Sequence, residues 1–281
     1  MKYYLNLVII GFFLPPANLS AEQSNKTLNW SISLASGLGQ FSDLQVPYSE
    51  ESLFFGLEEA NRADGIIVSK TSQNHQSIPI DLRFQRVFHS NSEHQFSGEL
   101  HLLHMVSSRG EADASSASYF HSGLNGRYHN NSWQKYYASP RPLLDMGIQR
   151  SRYLNVSSGH FIDTVIPRLG LSLESKNEQY YGHFLIGRSL YSQLKYYPGR
   201  IGSATALKDT EALTSQLEIN GAYKLMDATF LEFTYQSESS TISYKSTNGY
   251  ERFGLVATDS FFENKITLTN NAYHLGIKKL F

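Results

Sequence analysis

Tyr273-His-Leu-Gly-Ile-Lys-Lys-Leu-Phe281 decides how the rest of the chain is read. Counting back from Phe281 in steps of two gives Lys279, Ile277, Leu275 and Tyr273, a period-two stripe that ends on an aromatic residue. Such a stripe predicts a β-strand with one apolar face, and a strand that stops on Phe is expected to have its end held. At the other end, Met1-Lys2 precedes an apolar run from Tyr3 to Leu14, then Pro15-Pro16 and the small-residue stretch Ala17 to Ala21. That layout predicts a secretory signal peptide over residues 1–21, and the prolines cut the run too short for a membrane-spanning helix of about 20 residues.

No later stretch is a continuous apolar run of that length, so residues 22–281 either form a soluble β-protein or cross a membrane as strands. Their length suits one barrel or two small domains. The chain has no cysteine, so an exported protein of this sequence relies on hydrogen-bond ladders and burial rather than disulfides. A net charge of −1 with 17% charged residues argues against a nucleic-acid partner, which would need a basic patch. Tyrosine (18) and phenylalanine (17) far outnumber tryptophan (2), a load that suits strand surfaces and the aromatic girdles of membrane barrels.

The same rhythm recurs along the chain. Trp30, Ile32, Leu34 and Leu38 alternate with Ser31, Ser33 and Gly37, and Ile78, Ile80, Leu82 and Phe84 alternate with Asp81, Arg83 and Gln85. Phe96, Leu100, Leu102 and Val106 then stand opposite Glu99, His101 and Ser107, which predicts a hairpin turning at residues 89–95. Further strands are expected over 119–128, 144–154, 165–174 and 180–194, with Pro167 a mild conflict because proline cannot donate to a ladder. The clearest hairpin sets Leu213, Leu217, Ile219, Tyr223 and Leu225 against Thr214, Gln216, Glu218, Asn220 and Lys224, turns at 226–228, and returns through Leu231, Phe233 and Tyr235. Residues 40–75, with a helical-looking piece over 49–63, are expected to form a long loop over or beside one mouth. Joins of three to seven residues are expected to alternate with loops of nine to thirty-odd. No amphipathic helix is available to cover an apolar sheet face, so a soluble alternative would have to be a sandwich that binds a ligand.

The terminal stretch resembles the carboxy-terminal β-signal of bacterial outer-membrane β-barrels, in which a polar residue, a glycine, a hydrophobic residue and a final aromatic recur at fixed spacing. His274, Gly276 and Phe281 fit, whereas Lys279 stands where that signal has a hydrophobic residue. The resemblance implies an assembly signal made of Tyr273, Leu275, Gly276, Ile277 and Phe281, read by the barrel-assembly machinery. It also implies outer-membrane lipid and lipopolysaccharide as surroundings and an all-β, closed, antiparallel up-and-down transmembrane β-barrel. Strand counting gives about ten, with eight to twelve open.

If the aliphatic stripes face lipid, Asp81, Arg83, Glu99, His101, Arg168, Glu174, Glu218, Lys224, Glu232 and His274 point into the lumen, since a charge near the bilayer midplane costs ~2–4 kcal/mol. Lys224 is expected diagonal to Glu232, and Arg83 near Glu99 and His101. Two outcomes stay open: ions that pair and plug a narrow barrel, which implies a structural or surface-interaction protein, or a small water-filled channel. A barrel enzyme is the alternative class. The Asp-x-Asp and Asp-x-His spacings of omptin proteases are absent. His121-Ser-Gly-Leu-Asn-Gly-Arg127 faintly resembles the outer-membrane phospholipase motif, but adjacent His121 and Ser122 leave a strand on opposite faces and share no proton. No cofactor is implied, and the histidines show no metal-ligand spacing.

Overall fold

The computed structural model describes residues 30–44, 72–107, 117–132, 140–154, 158–175, 179–198, 207–247, 251–252, 255–256 and 261–281. The expected signal peptide at 1–21 and the helical-looking piece at 49–63 lie outside the described residues. Nearly everything described is strand: β1 (Trp30–Leu44), β2 (Ser72–Ser90), β3 (His94–Ser107), β4 (Ser118–Asn130), β5 (Arg141–Leu154), β6 (Ser158–Glu174), β7 (Tyr180–Arg188), β8 (Tyr191–Pro198), β9 (Leu207–Met226), β10 (Thr229–Thr247) and β13 (Phe261–Leu280). Between the last two, β11 (Glu251–Arg252) and β12 (Leu255–Val256) pair only with each other.

The large sheet runs antiparallel from strand to neighbouring strand and closes on itself, with β1 against β13 and β5 against β6. β7 and β8 are one wall strand with a bulge. Arg168 lies opposite Gly187 and Val165 opposite Tyr191, so three steps along β6 match four along β7 and β8. The extra residue at Ser189-Leu190 bends the wall. Counting β7 with β8 gives a closed ten-stranded barrel, as the alternation predicts. Several strands run 14 to 20 residues, longer than the roughly 9–11 a tilted strand needs to cross a bilayer.

The side chains are sorted inside out. Leu34, Leu38, Ile78, Ile148, Leu169, Ile186 and Leu275 are exposed on the outer wall, while Asp81, Glu99, Arg127, Asp145, Arg168 and Glu218 are buried inside. A closed antiparallel barrel with an apolar exterior and a polar interior is the build of an outer-membrane β-barrel, in which lipid covers the outer face.

Several boundaries differ from the sequence expectation. β1 runs on to Leu44 and β2 begins at Ser72, so both ends of the expected 40–75 loop are wall. β8 extends to Pro198, beyond the expected end at 194, and β9 begins at Leu207, ahead of the expected start at Leu213. The 89–95 turn contracts to residues 91–93, closed by Asn91, whose side-chain Oδ1 accepts from the backbone N–H of Glu93 and His94. The alternation of short and long joins is broken as well: β5 and β6 are separated only by residues 155–157 at the long-loop end, and β4 and β5 by 131–140 at the other.

Both described chain ends meet at the short-turn end, where β1 and β13 zip together over Ser31 to Phe41. Gly276 lies on this seam. A Cβ there would stand 2.3 Å from the Leu34 carbonyl oxygen and 2.4 Å from the Ala35 Cβ, distances that only glycine avoids. Closure of the barrel therefore depends on a residue of the expected assembly signal.

Candidate functional site: the filled lumen

Inward-facing residues of neighbouring strands converge because each strand gives every second side chain to the interior. At the level of Arg83 they form one chain of alternating charge. Glu99 meets Arg127 at 3.5 Å, Arg127 meets Asp145 at 3.0 Å, and Asp145 meets Arg168 at 2.6 Å. Arg168 is 3.6 Å from Glu218, Glu218 is 3.2 Å from Arg83, and Arg83 is 3.1 Å from Asp81. Histidines join it at two points: His183 lies 2.6 Å from Glu218, and His101 and His274 lie 3.2 and 3.7 Å from Asp81 at one end. Four carboxylates face three guanidiniums, so each ion has opposite charge on at least one side, as buried ions require.

The expected neighbours are in place, but the ion pairs are corrected in two places. Arg83 faces His101 in register and lies diagonal to Glu99, as the hairpin predicts, while its guanidinium pairs across the lumen with Glu218. Glu99 is held from the other side, by Asn125 and Arg127 of β4. Lys224 does not pair with Glu232. Lys224 stands opposite Phe230 and so diagonal to Glu232, as expected, but its ammonium turns to Asp227 of the adjoining turn at 3.7 Å. Glu232, opposite Ala222, takes hydrogen bonds from Ser33, Asn220 and Tyr181 instead. Glu174 stands at the rim, paired with Arg141 at 2.5 Å, outside the ion chain.

A second correction concerns polarity. Toward the long-loop end the inner face becomes apolar and aromatic, with Phe41, Leu103, Met105, Tyr119, Tyr153, Ile162, Ile242 and Leu268 packed in one buried cluster. Tyr119 and Tyr153 lie with ring centres 4.9 Å apart, and Tyr153 stacks on His160 at 4.5 Å. The lumen is thus layered: ions at one level, an apolar lid above.

Between the layers lies a cavity of about 40 Å³, lined by His101, His121, Gln149, Gln216, Glu238 and Asn270 among others. Glu238 accepts hydrogen bonds from Gln216, Ser151 and Asn270 at 2.8, 3.1 and 3.3 Å. His121 Nδ1 is 3.2 Å from Ser151 Oγ and 4.0 Å from Glu238. A serine, histidine and carboxylate are therefore adjacent, in a cavity with space for only a few waters. Ser122, the neighbour of His121, has the outward parity of β4, as the sequence spacing predicts. No group of three or more His, Asp or Glu able to hold a metal occurs among the described residues.

At the short-turn end a larger cavity of about 310 Å³ has the ion chain on its floor, through Arg83, Glu99 and Arg127, and Trp30, Tyr181, Phe230 and Lys278 in its wall. Lys278 donates to Gln85 at 3.2 Å.

Sequence reading missed Arg127, Asp145 and His183. The signal was present: Asp145 alternates with Leu144 and Met146, and Arg127 shares the parity of the inward His121 and Asn125.

No protein-family model matches the chain, and no curated protein matches it. Among solved structures, the outer-membrane protease OmpT of Escherichia coli aligns over 92% of this chain and 99% of its own, at 10% identity and a TM-score of 0.45. The translocator domain of the autotransporter NalP from Neisseria meningitidis aligns over 100% and 95%, at 9% identity and a TM-score of 0.38. The CymD monoaromatic hydrocarbon channel aligns over 90% and 88%, at 7% identity and a TM-score of 0.31.

Proposed function

We propose that this chain is a closed outer-membrane barrel with a structural or surface-interaction role, and that it does not serve as an open diffusion channel. The observation that carries the reading is the continuous ion chain from Glu99 to Asp81, which joins β2 to β6 and β9 through the lumen and lies beneath a packed aromatic lid. A ten-stranded wall encloses little more than its own side chains, so these two layers leave no continuous path for hydrated ions. In this reading the short-turn end faces the periplasm and the long loops face outward.

The outer wall supports a lipid partner as well. Near the long-loop end Arg150 and Lys195 flank Asp163 at 2.5 and 3.6 Å, and both cations lie over the Phe161 ring at 4.5 and 5.4 Å. Two cations against one carboxylate on a lipid-facing wall suit the phosphates of lipopolysaccharide. The closed-lumen reading is tested by liposome swelling with small sugars. Purified protein that confers no swelling beyond empty liposomes supports it, and rapid swelling overturns it.

A further inference from the structure

Three buried polar atoms without a hydrogen-bond partner lie side by side in the cavity at the short-turn end. They are His129 Nδ1 on β4, Arg141 Nε on β5 and Ser172 Oγ on β6. Their adjacency follows from register: Arg141 is the direct partner of Ser172, and His129 is paired with Leu143, two residues along the same strand. All three have inward parity. Ser172 is only 5% exposed, so its hydroxyl is not rescued by bulk water. Leaving a buried donor unmade is costly, and three on adjoining strands at one level form a preorganised set. The Arg141 guanidinium is already oriented, since its Nη2 holds Glu174 and its Nη1 donates to Asn131.

We propose that these three residues form the binding site of a small organic monocarboxylate that enters from the short-turn end. Each offers a donor: an imidazole N–H in the appropriate tautomer, a guanidinium N–H and a hydroxyl. A carboxylate is the compact acceptor that takes all three, with the charge of Arg141 favouring it. The surroundings select against a phosphate. Glu99, Glu174 and Glu232 share the cavity with Arg83, Arg127, Arg141 and Lys278, and the single positive charge left over is balanced by a monoanion but exceeded by a dianion. Tyr181 and Phe230 in the same wall supply apolar surface for an organic body, and about 310 Å³ lies at the small end of ligand pockets.

The test uses the full barrel in lipid nanodiscs, with benzoate as the probe and inorganic phosphate as its rival, followed by ligand-observed NMR. Saturable benzoate binding is expected, weakened at least tenfold by Ser172→Ala and by Arg141→Lys, which keeps the charge but removes the Nε donor. Leu169→Ala on the outer wall should leave it unchanged. Heat-dependent gel mobility verifies that each variant is folded, and if Arg141→Lys is not, Ser172→Ala alone decides. Absence of saturable binding, equal affinity in Ser172→Ala, or preference for phosphate overturns the proposal. So does a crystal structure in which waters satisfy the three donors and benzoate does not displace them.

Discussion

Trp30 and Phe281 exchange backbone hydrogen bonds in both directions: the Trp30 N–H donates to the Phe281 carbonyl at 3.3 Å, and the Phe281 N–H donates to the Trp30 carbonyl at 2.8 Å. The first described residue of the wall and the last residue of the chain thus close the ladder at the short-turn end. Replacing Phe281 with Asp puts a charge at this junction and removes the terminal aromatic of the expected assembly signal. Folded protein in the membrane fraction should fall severalfold, whereas a substitution within residues 45–71 should have little effect. Equal membrane levels for the two would contradict the role given to the terminus.

Gly276 gives a second test of the same seam. Gly276→Val would drive side-chain atoms into the Leu34 carbonyl and Ala35. Loss of the heat-resistant compact band on gels is expected, and a variant as stable as the parent would show that the strands approach less closely than described.

The outward face of Ile186 should meet lipid. It is 56% exposed and lies opposite Leu217 in mid-wall. Ile186→Arg should cost ~2–4 kcal/mol in unfolding from lipid vesicles. Leu185→Ala, on the inner face, should instead cost the ~2–5 kcal/mol of a buried cavity and respond little to bilayer thickness. An insensitive Ile186→Arg would mean that the faces are reversed.

Within the ion chain, Glu218 carries the most partners, since Arg83, Arg168, His183 and Gln236 all converge on it. Glu218→Gln keeps the shape and removes the charge. A loss of about 3–5 kcal/mol is expected in denaturant titration because two guanidiniums lose a buried counter-ion. A change under 1 kcal/mol would indicate that water reaches this level of the lumen.

For the outer wall, the double variant Arg150→Ala, Lys195→Ala should lose most of the thermal stabilisation that added lipopolysaccharide gives the parent, measured as a shift in the heating midpoint. An undiminished shift would place any lipopolysaccharide contact elsewhere.

The fold was legible because period two is a one-dimensional signal. Leu34, Ile80 and Leu275 declare the lipid face, and Ser33, Asp81 and His274 the lumen, without knowledge of any partner strand. The partners within the lumen were not legible to the same degree. Arg83 reaches Glu218, 135 residues away, only because closure brings β2 and β9 to face each other across the interior. Cross-strand pairing from a single hairpin could not have chosen that contact over Glu99. The apolar lid was hidden for another reason: Leu102-Leu103 and Phe161-Ile162 place apolar residues on both parities, which the alternation rule reads as a weakened strand rather than an inner layer.

The most direct test of the closed lumen is electrical. Purified protein inserted in planar bilayers should give no stable unitary conductance, and Glu218→Ala combined with Arg168→Ala should introduce brief, small openings by removing ions from the middle of the chain. Large, long-lived channels in the unaltered protein, indifferent to both substitutions, would contradict the account that the ions and the aromatic lid seal the barrel.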